Sequence, residues 1–283
     1  MDRKTVLLHE MPRTHFEEYL RETPVPVAII PVGSIEQHGP HLPLGMDILA
    51  ATEIAKKVAE KANCIVAQVF LPGYSPHHMN FKGTITFHEE TLVHILYDTI
   101  ECLTHHGIRK ILLINGHGGN VQILAYAARM ASRKFNCSVL QPPAMPVADP
   151  VKAMRDSVAR VDVHSGKGET GSALAMFPHL VDMSKVKGFK PTSAWRDEAI
   201  AKLADPNRED VLLAGALAMA YLGDTHDFTT SGIYGWTTPE DADPEAAKKN
   251  IEARVEWMAK FIELWRTIPE KEKSSAQLGK TPW

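Results

Sequence analysis

The sequence predicts an α/β protein whose mainly parallel sheet is covered by helices on both faces. Three observations lead there. The runs Val27-Ala-Ile-Ile-Pro-Val-Gly33 and Lys110-Ile-Leu-Leu-Ile-Asn115 are almost continuously apolar, as strands buried on both faces are. Such runs alternate along the chain with helix-period segments, the pattern of parallel strands joined by helical crossovers. The chain of 283 residues, 44% hydrophobic and 23% charged, is long enough to bury a large core.

Taken in order, Thr14-His-Phe-Glu17 reads as a capping box that opens a short helix. Strand 27–33 follows. Ile48, Ala51, Ile54, Ala55 and Val58 recur at helical spacing and predict a helix from Asp47 to about Lys61. Cys64 to Phe70 reads as a second strand, and 71–84 as a Pro/Gly-rich loop. Leu92, Ile95, Leu96, Thr99, Ile100 and Leu103 mark an amphipathic helix closed by Gly107. Strand 110–115, a helix over about 120–134 and a strand 137–140 come next. Helices are expected at about 170–177, 209–222 and 244–265, the last with Asp243 as N-cap and Pro244 at its first position. Residues 1–268 are read as one domain and 269–283 as a polar, loosely held tail.

The formal net charge of −3 and the lack of a basic stripe argue against nucleic acid as a partner. No apolar run reaches transmembrane length and no secretory segment opens the chain, so neither a membrane nor export is expected. Cys64, Cys102 and Cys137, odd in number and far apart, fit reduced thiols in the cytoplasm.

The chemistry gathers at two strand ends. Ser34-Ile-Glu36-Gln-His38-Gly-Pro-His41-Leu-Pro-Leu-Gly-Met-Asp47 directly follows the first buried run, and Gly116-His117-Gly-Gly-Asn120 follows the second. Parallel α/β sheets bind ligands at the carboxyl ends of their strands, so both motifs face one crevice. Glu36 and His38, two apart in extended chain, point to the same side, and Asp47 is placed to return and bridge two ions. Carboxylate and imidazole suit Zn²⁺, Mn²⁺, Fe²⁺ or Co²⁺, and the absence of cysteine disfavours a closed structural zinc site. Two such ions about 3.5–4 Å apart would hold a hydroxide between them and polarise a carbonyl. A further ligand and a proton donor are offered by the segment His164-Ser-Gly-Lys-Gly-Glu169.

Blander readings exist for each residue. Asp47 stands where a helix N-cap belongs, Glu36 could pair with an arginine, and His38 could be a satisfied loop histidine. Gly116-His-Gly-Gly could cradle a phosphate, although it lacks the lysine of a P-loop. His41 is expected behind the ligands or on the surface, and His105-His106 at a helix C-terminus. His78, with Phe81 and Thr84, is expected to wall a substrate pocket. The sequence indicates no role for Lys167, Trp195 or Trp236.

These motifs resemble the creatininase family. Pro31 to Leu44 with Asp47, Phe81-Lys-Gly-Thr84, His105 to Asn120, His164 to Thr170 and Ser231-Gly-Ile-Tyr-Gly235 carry the likeness. The resemblance implies a three-layer α/β/α sandwich and a dinuclear hydrolase with Zn and/or Mn. Glu36, Asp47 and His117 would hold one ion, and His38, Asp47 and Glu169 the other. His164 would shuttle the proton. It also implies a homo-oligomer, commonly a hexamer, and a small-molecule substrate. Gly118 and Gly119 stand where the creatinine-hydrolysing enzyme has an aromatic residue and a carboxylate, so another substrate is expected. The first expectation is an amide or formamide C–N bond in a small polar, cyclic carbonyl compound. Alternatives are C–C ring opening of a cyclic ketone of the oxidised inositol type, a peptidase-like activity, and a non-catalytic metal-binding protein.

Overall fold

The computed structural model describes residues 5–69, 72–142, 162–189, 202, 209–210, 223–227, 229–235 and 237–270. Trp195, Trp236, most of the helix expected at 209–222 and nearly all of the expected tail lie outside these residues.

Four strands, β1 (Val27–Val32), β2 (Ile65–Val66), β3 (Lys110–Asn115) and β4 (Ser138–Leu140), form a parallel sheet in the order β2-β1-β3-β4. Helices α1 (Arg13–Glu22), α2 (Met46–Ala62), α3 (Glu89–His105), α4 (Val121–Lys134), α5 (Lys167–Met176) and α6 (Pro244–Arg266) accompany it. The uninterrupted hydrophobicity of β1 and β3 has a direct cause, since alternate side chains serve different layers. Ala28, Ile30, Val32, Ile111 and Leu113 pack into one core with α1, α3 and α4. Val27, Ile29, Leu112 and Ile114 pack into another with α2 and α6. This is the three-layer sandwich expected, each buried Ile or Leu contributing about 1.5–3 kcal/mol.

Several boundaries moved. Helix α1 begins at Arg13 after Pro12, with Thr14 inside it, and Glu17 pairs with Arg13 instead of closing a capping box. Strand β2 is two residues long, not seven. Val66 is bridged on its other side by Leu7, and the chain then leaves the sheet. Helix α5 starts three residues earlier than expected, behind Gly166. An antiparallel pair, β5 (Asp162–His164) with β6 (Tyr234–Gly235), was not foreseen. The N-cap of α6 is as expected, Asp243 Oδ1 accepting from Ala246 N at 3.0 Å.

Lys110 explains a charge in a buried strand. Its ammonium, 2% exposed, donates to the carbonyls of Trp265 (2.7 Å) and Ile268 (2.6 Å) at the C-terminus of α6 and faces Glu270 at 3.3 Å. The negative end of the helix thus meets a cation. Cys64 and Cys137 are buried cysteines and Cys102 an exposed one, and none of the three is in a disulfide among the described residues. Among the described residues no helix is long and apolar enough to cross a membrane.

Candidate metal centre

Register places the site. Val32 of β1 pairs with Asn115 of β3, so the two central strands end level and their following loops lie side by side. Helix α2 then descends onto that edge. A Cβ on Gly33 would stand 2.5 Å from the carbonyl carbon of Asp47, and one on Gly116 2.4 Å from the Asp47 oxygen. The two strand-end glycines therefore let the first turn of α2 bring Asp47 between the loops. Asn120 ties them together: its Nδ2 donates to Gly33 O (2.8 Å) while its Oδ1 accepts from Tyr74 N (2.9 Å).

Asp47 is not a cap. The N-cap of α2 is Gly45, which makes no side-chain cap. Asp47 Oδ2 accepts from Ser34 Oγ (2.9 Å) and lies 3.1 Å from His117 Nδ1, while Oδ1 lies 3.3 Å from His38 Nε2. Glu36 Oε2 is 3.2 Å from His117 Nδ1, and Glu169 Oε2 is 3.8 Å from His38 Nε2. Glu36, Asp47 and His117 form one set of atoms close enough to grip an ion, and His38, His164 and Glu169 form another. Glu36 itself contacts imidazoles, and no arginine pairs with it among the described residues.

Backbone carbonyls fix the imidazole tautomers. A carbonyl only accepts, so each ring nitrogen facing one must carry the proton. His117 Nε2 donates to Tyr74 O (2.9 Å), His38 Nδ1 to Glu36 O (3.2 Å) and His164 Nε2 to Gln37 O (2.7 Å). The other nitrogen of each ring points inward, at carboxylates. This is how second-layer contacts orient metal ligands. Among the described residues both Glu36 oxygens and His38 Nε2 are buried without a hydrogen-bond partner. Buried polar atoms are rarely left so, and the donor set fits divalent cations.

Without an ion, protons take the inward positions. Burial opposes charge on His38, but the charge of Asp47 and its contact, then Glu169 and Glu36, outweigh it and raise the ring to about 9. His117 is likewise opposed by burial yet raised to about 10 by Asp47 and Glu36. Burial alone would raise the Asp47 carboxyl, and these two imidazoles hold it well below the carboxylate range. His164 moves the other way: burial, then His38 and His78, keep it neutral. Both raised imidazoles stabilise the metal-free fold fully below the unfolded value near 6.5 and lose that contribution as pH rises through about 9–10. Metal ligands must shed those protons, so ion binding strengthens over the same interval. The melting temperature of chelated protein is expected to fall between about pH 6.5 and 9 while that of zinc-loaded protein holds. A gap between the two that narrows with pH contradicts this.

His78 is buried, its Nδ1 within 2.9 Å of Gln37 Nε2 and 3.0 Å of Thr225 Oγ1, and its Nε2 is 3.3 Å from Glu36 Oε1. Burial, then His77, His117 and His38, depress it to about 2. Thr84 reaches the site indirectly, its hydroxyl accepting from Gln37 N (3.2 Å). Phe81 is half-buried. Gly118 opens onto free space, whereas a side chain on Gly119 would strike Tyr74 O at 2.4 Å and His117 Nε2 at 2.5 Å. His41 lies behind the carboxylate–imidazole cluster: its Nε2 contacts Thr170 Oγ1 (2.8 Å), and burial, then His38, lower it to about 4. In the Gly116–Asn120 turn the N–H groups of Gly116, His117 and Asn120 are already used, which disfavours a phosphate cradle. His105 ends α3.

Sequence reasoning missed Ser34, Gln37 and Asn120 as supports, although all lie in quoted motifs. It also missed His77, whose ring stacks on His117 at 5.7 Å, and Thr225. Tyr234 stacks on His164 at 5.5 Å.

The creatininase family profile, described as creatinine amidohydrolase, matches residues 9–262. The chain is 28% identical to 3-dehydro-scyllo-inosose hydrolase of Thermotoga maritima, over 93% of this chain and 84% of that one. It is 28% identical to creatinine amidohydrolase of Pseudomonas putida, over 59% of this chain and 70% of that one. A solved creatininase variant of Zn–Zn type superposes with a TM-score of 0.71 at 24% identity, covering 94% of this chain and 100% of that one.

Proposed function

Since the chain belongs to the creatininase family, a family of hydrolases, we propose that it hydrolyses a small polar cyclic carbonyl compound at a centre of two divalent ions. The observation that carries this reading is the set of carbonyl-locked imidazoles whose free nitrogens meet Glu36, Asp47 and Glu169, with both Glu36 oxygens buried and unsatisfied. Glu36, Asp47 and His117 would hold one ion, His38, Asp47 and Glu169 the other, with Asp47 shared. Zinc or manganese, with iron also suited, fits these donors, and zinc occupies the related creatininase variant. When bound, such ions polarise a carbonyl and lower the pKa of water towards neutrality.

The chain's own groups do the rest. His164, neutral and with its Nδ1 lone pair turned inward, takes a proton at that atom and returns it to the leaving group. Gln37 O keeps the ring in this tautomer, and Tyr234 covers it. His78, Phe81, Thr84, the open space at Gly118 and the close-packed turn at Gly119 would border the substrate. Replacing side chains by two glycines there argues against creatinine.

The first candidate bond is the C–N bond of an amide or formamide. A second reading, C–C opening of a cyclic ketone, is favoured by the match to the inosose hydrolase along 93% of this chain. Chelated protein, reloaded with Zn²⁺ or Mn²⁺ and offered lactams, formamides and cyclic polyhydroxy ketones, is expected to regain turnover on one class and to bind about two ions per chain. Turnover that survives complete chelation contradicts the proposal.

A further inference from the structure

Beside the carboxylate–imidazole cluster, α2, α5 and α6 enclose a cavity of about 430 Å³. Its lining includes Asp47 of α2, Lys167, Glu169 and Ser172 of α5, and Asn250 and Arg254 of α6. A cavity of this size suits a small organic molecule.

Arg254 is the unusual member. It is half-buried, and among the described residues its guanidinium has neither a hydrogen bond nor an ion pair. Arg266, three turns further along the same helix, shows the contrast by donating to the carbonyls of Val25, Ala62 and Asn63. The acids that line the cavity are committed elsewhere. Asp47 faces Ser34, His38 and His117; Glu169 accepts from Ser165 N and faces His38; Asp243 caps α6. Burial presses Arg254 below its ordinary pKa, and among the described residues no carboxylate opposes the shift. Lys167, exposed at the start of α5, has no side-chain partner among the described residues either. Two cations therefore line a cavity whose acids already have partners of their own. A partly desolvated cation without a partner is costly, and the guanidinium fork matches the paired oxygens of a carboxylate or phosphate.

We propose that this cavity is an oxyanion subsite, in which Arg254, aided by Lys167, holds a carboxylate or phosphate group of the substrate while its carbonyl lies at the adjoining cluster. The proposal rests on reading that cluster as the catalytic centre, and it narrows the substrate to an anionic carbonyl compound.

Inorganic phosphate and acetate, titrated separately by calorimetry into chelated protein, test it without ions that could themselves capture an anion. Saturable binding of one of them is expected, weakened at least about tenfold in Arg254→Met and less in Arg254→Lys. Metal uptake should be unchanged in both variants. Preference for phosphate or for acetate tells a phosphorylated substrate from a carboxylic acid. Undiminished binding in Arg254→Met, or no saturable binding of either anion, overturns the subsite. So does an altered subunit number in Arg254→Met with unchanged anion affinity, which would make Arg254 an assembly contact. If wild-type protein binds the anion through Arg254 yet takes up no zinc, the metal reading fails and the subsite stands.

Discussion

Replacing Asp47 with alanine is expected to empty both ion positions together, taking bound metal from about two equivalents per chain to near zero and turnover down by more than about 10³-fold. The expectation follows from geometry. One carboxylate lies 3.1 Å from His117 Nδ1 through Oδ2 and 3.3 Å from His38 Nε2 through Oδ1. Ser34→Ala makes the informative contrast, because Ser34 Oγ only donates to Asp47 Oδ2 at 2.9 Å. Loss of such a supporting contact is expected to weaken metal affinity about 10–100-fold while leaving the stoichiometry attainable at high concentration. Elemental analysis of dialysed protein decides the matter. An Asp47→Ala protein that still retains about two ions would show that the carboxylate is not shared.

The second large effect separates a ligand from a proton carrier. His164→Ala should keep its metal and lose turnover by about 10²–10⁴-fold, the range for removing a general acid–base group. Its Nε2 is committed to Gln37 O, and its Nδ1 is 3.8 Å from Glu36 Oε1. The ring also belongs to a set of atoms able to hold an ion with His38 and Glu169. Metal content measured beside kcat distinguishes the roles, since joint loss of both would make His164 a ligand.

The central sheet was legible because β1 and β3 are buried on both faces, which leaves no room for polar interruptions. Lys110 was the exception, and its reason, a helix end 155 positions later in the chain, leaves no local trace. The motifs after the two strands could be read as converging because parallel strands deliver their carboxyl ends to one edge. Whether Asp47 capped α2 or faced the cluster could not be read, since both roles use the same residue at the same place. What decides it is the close approach permitted by Gly33 and Gly116. Strands β5 and β6, two or three residues each, are too short for any periodicity to register. The partners that orient the imidazoles are peptide oxygens of Tyr74, Glu36 and Gln37, and a peptide oxygen is the same whatever side chain it accompanies.

That last feature bears on how such a protein can change over time. No point substitution deletes a main-chain oxygen, so the orientations of the His164 and His117 rings do not depend on which side chains stand at positions 37 and 74, although the Gln37 amide has contacts of its own with His78 and Gly232. Insertion or removal of a single amino acid between Ser34 and His41 would instead shift the oxygens behind His38 and His164 simultaneously. The rim can be remodelled for new compounds, whereas the spacing of that short stretch is what heredity must preserve.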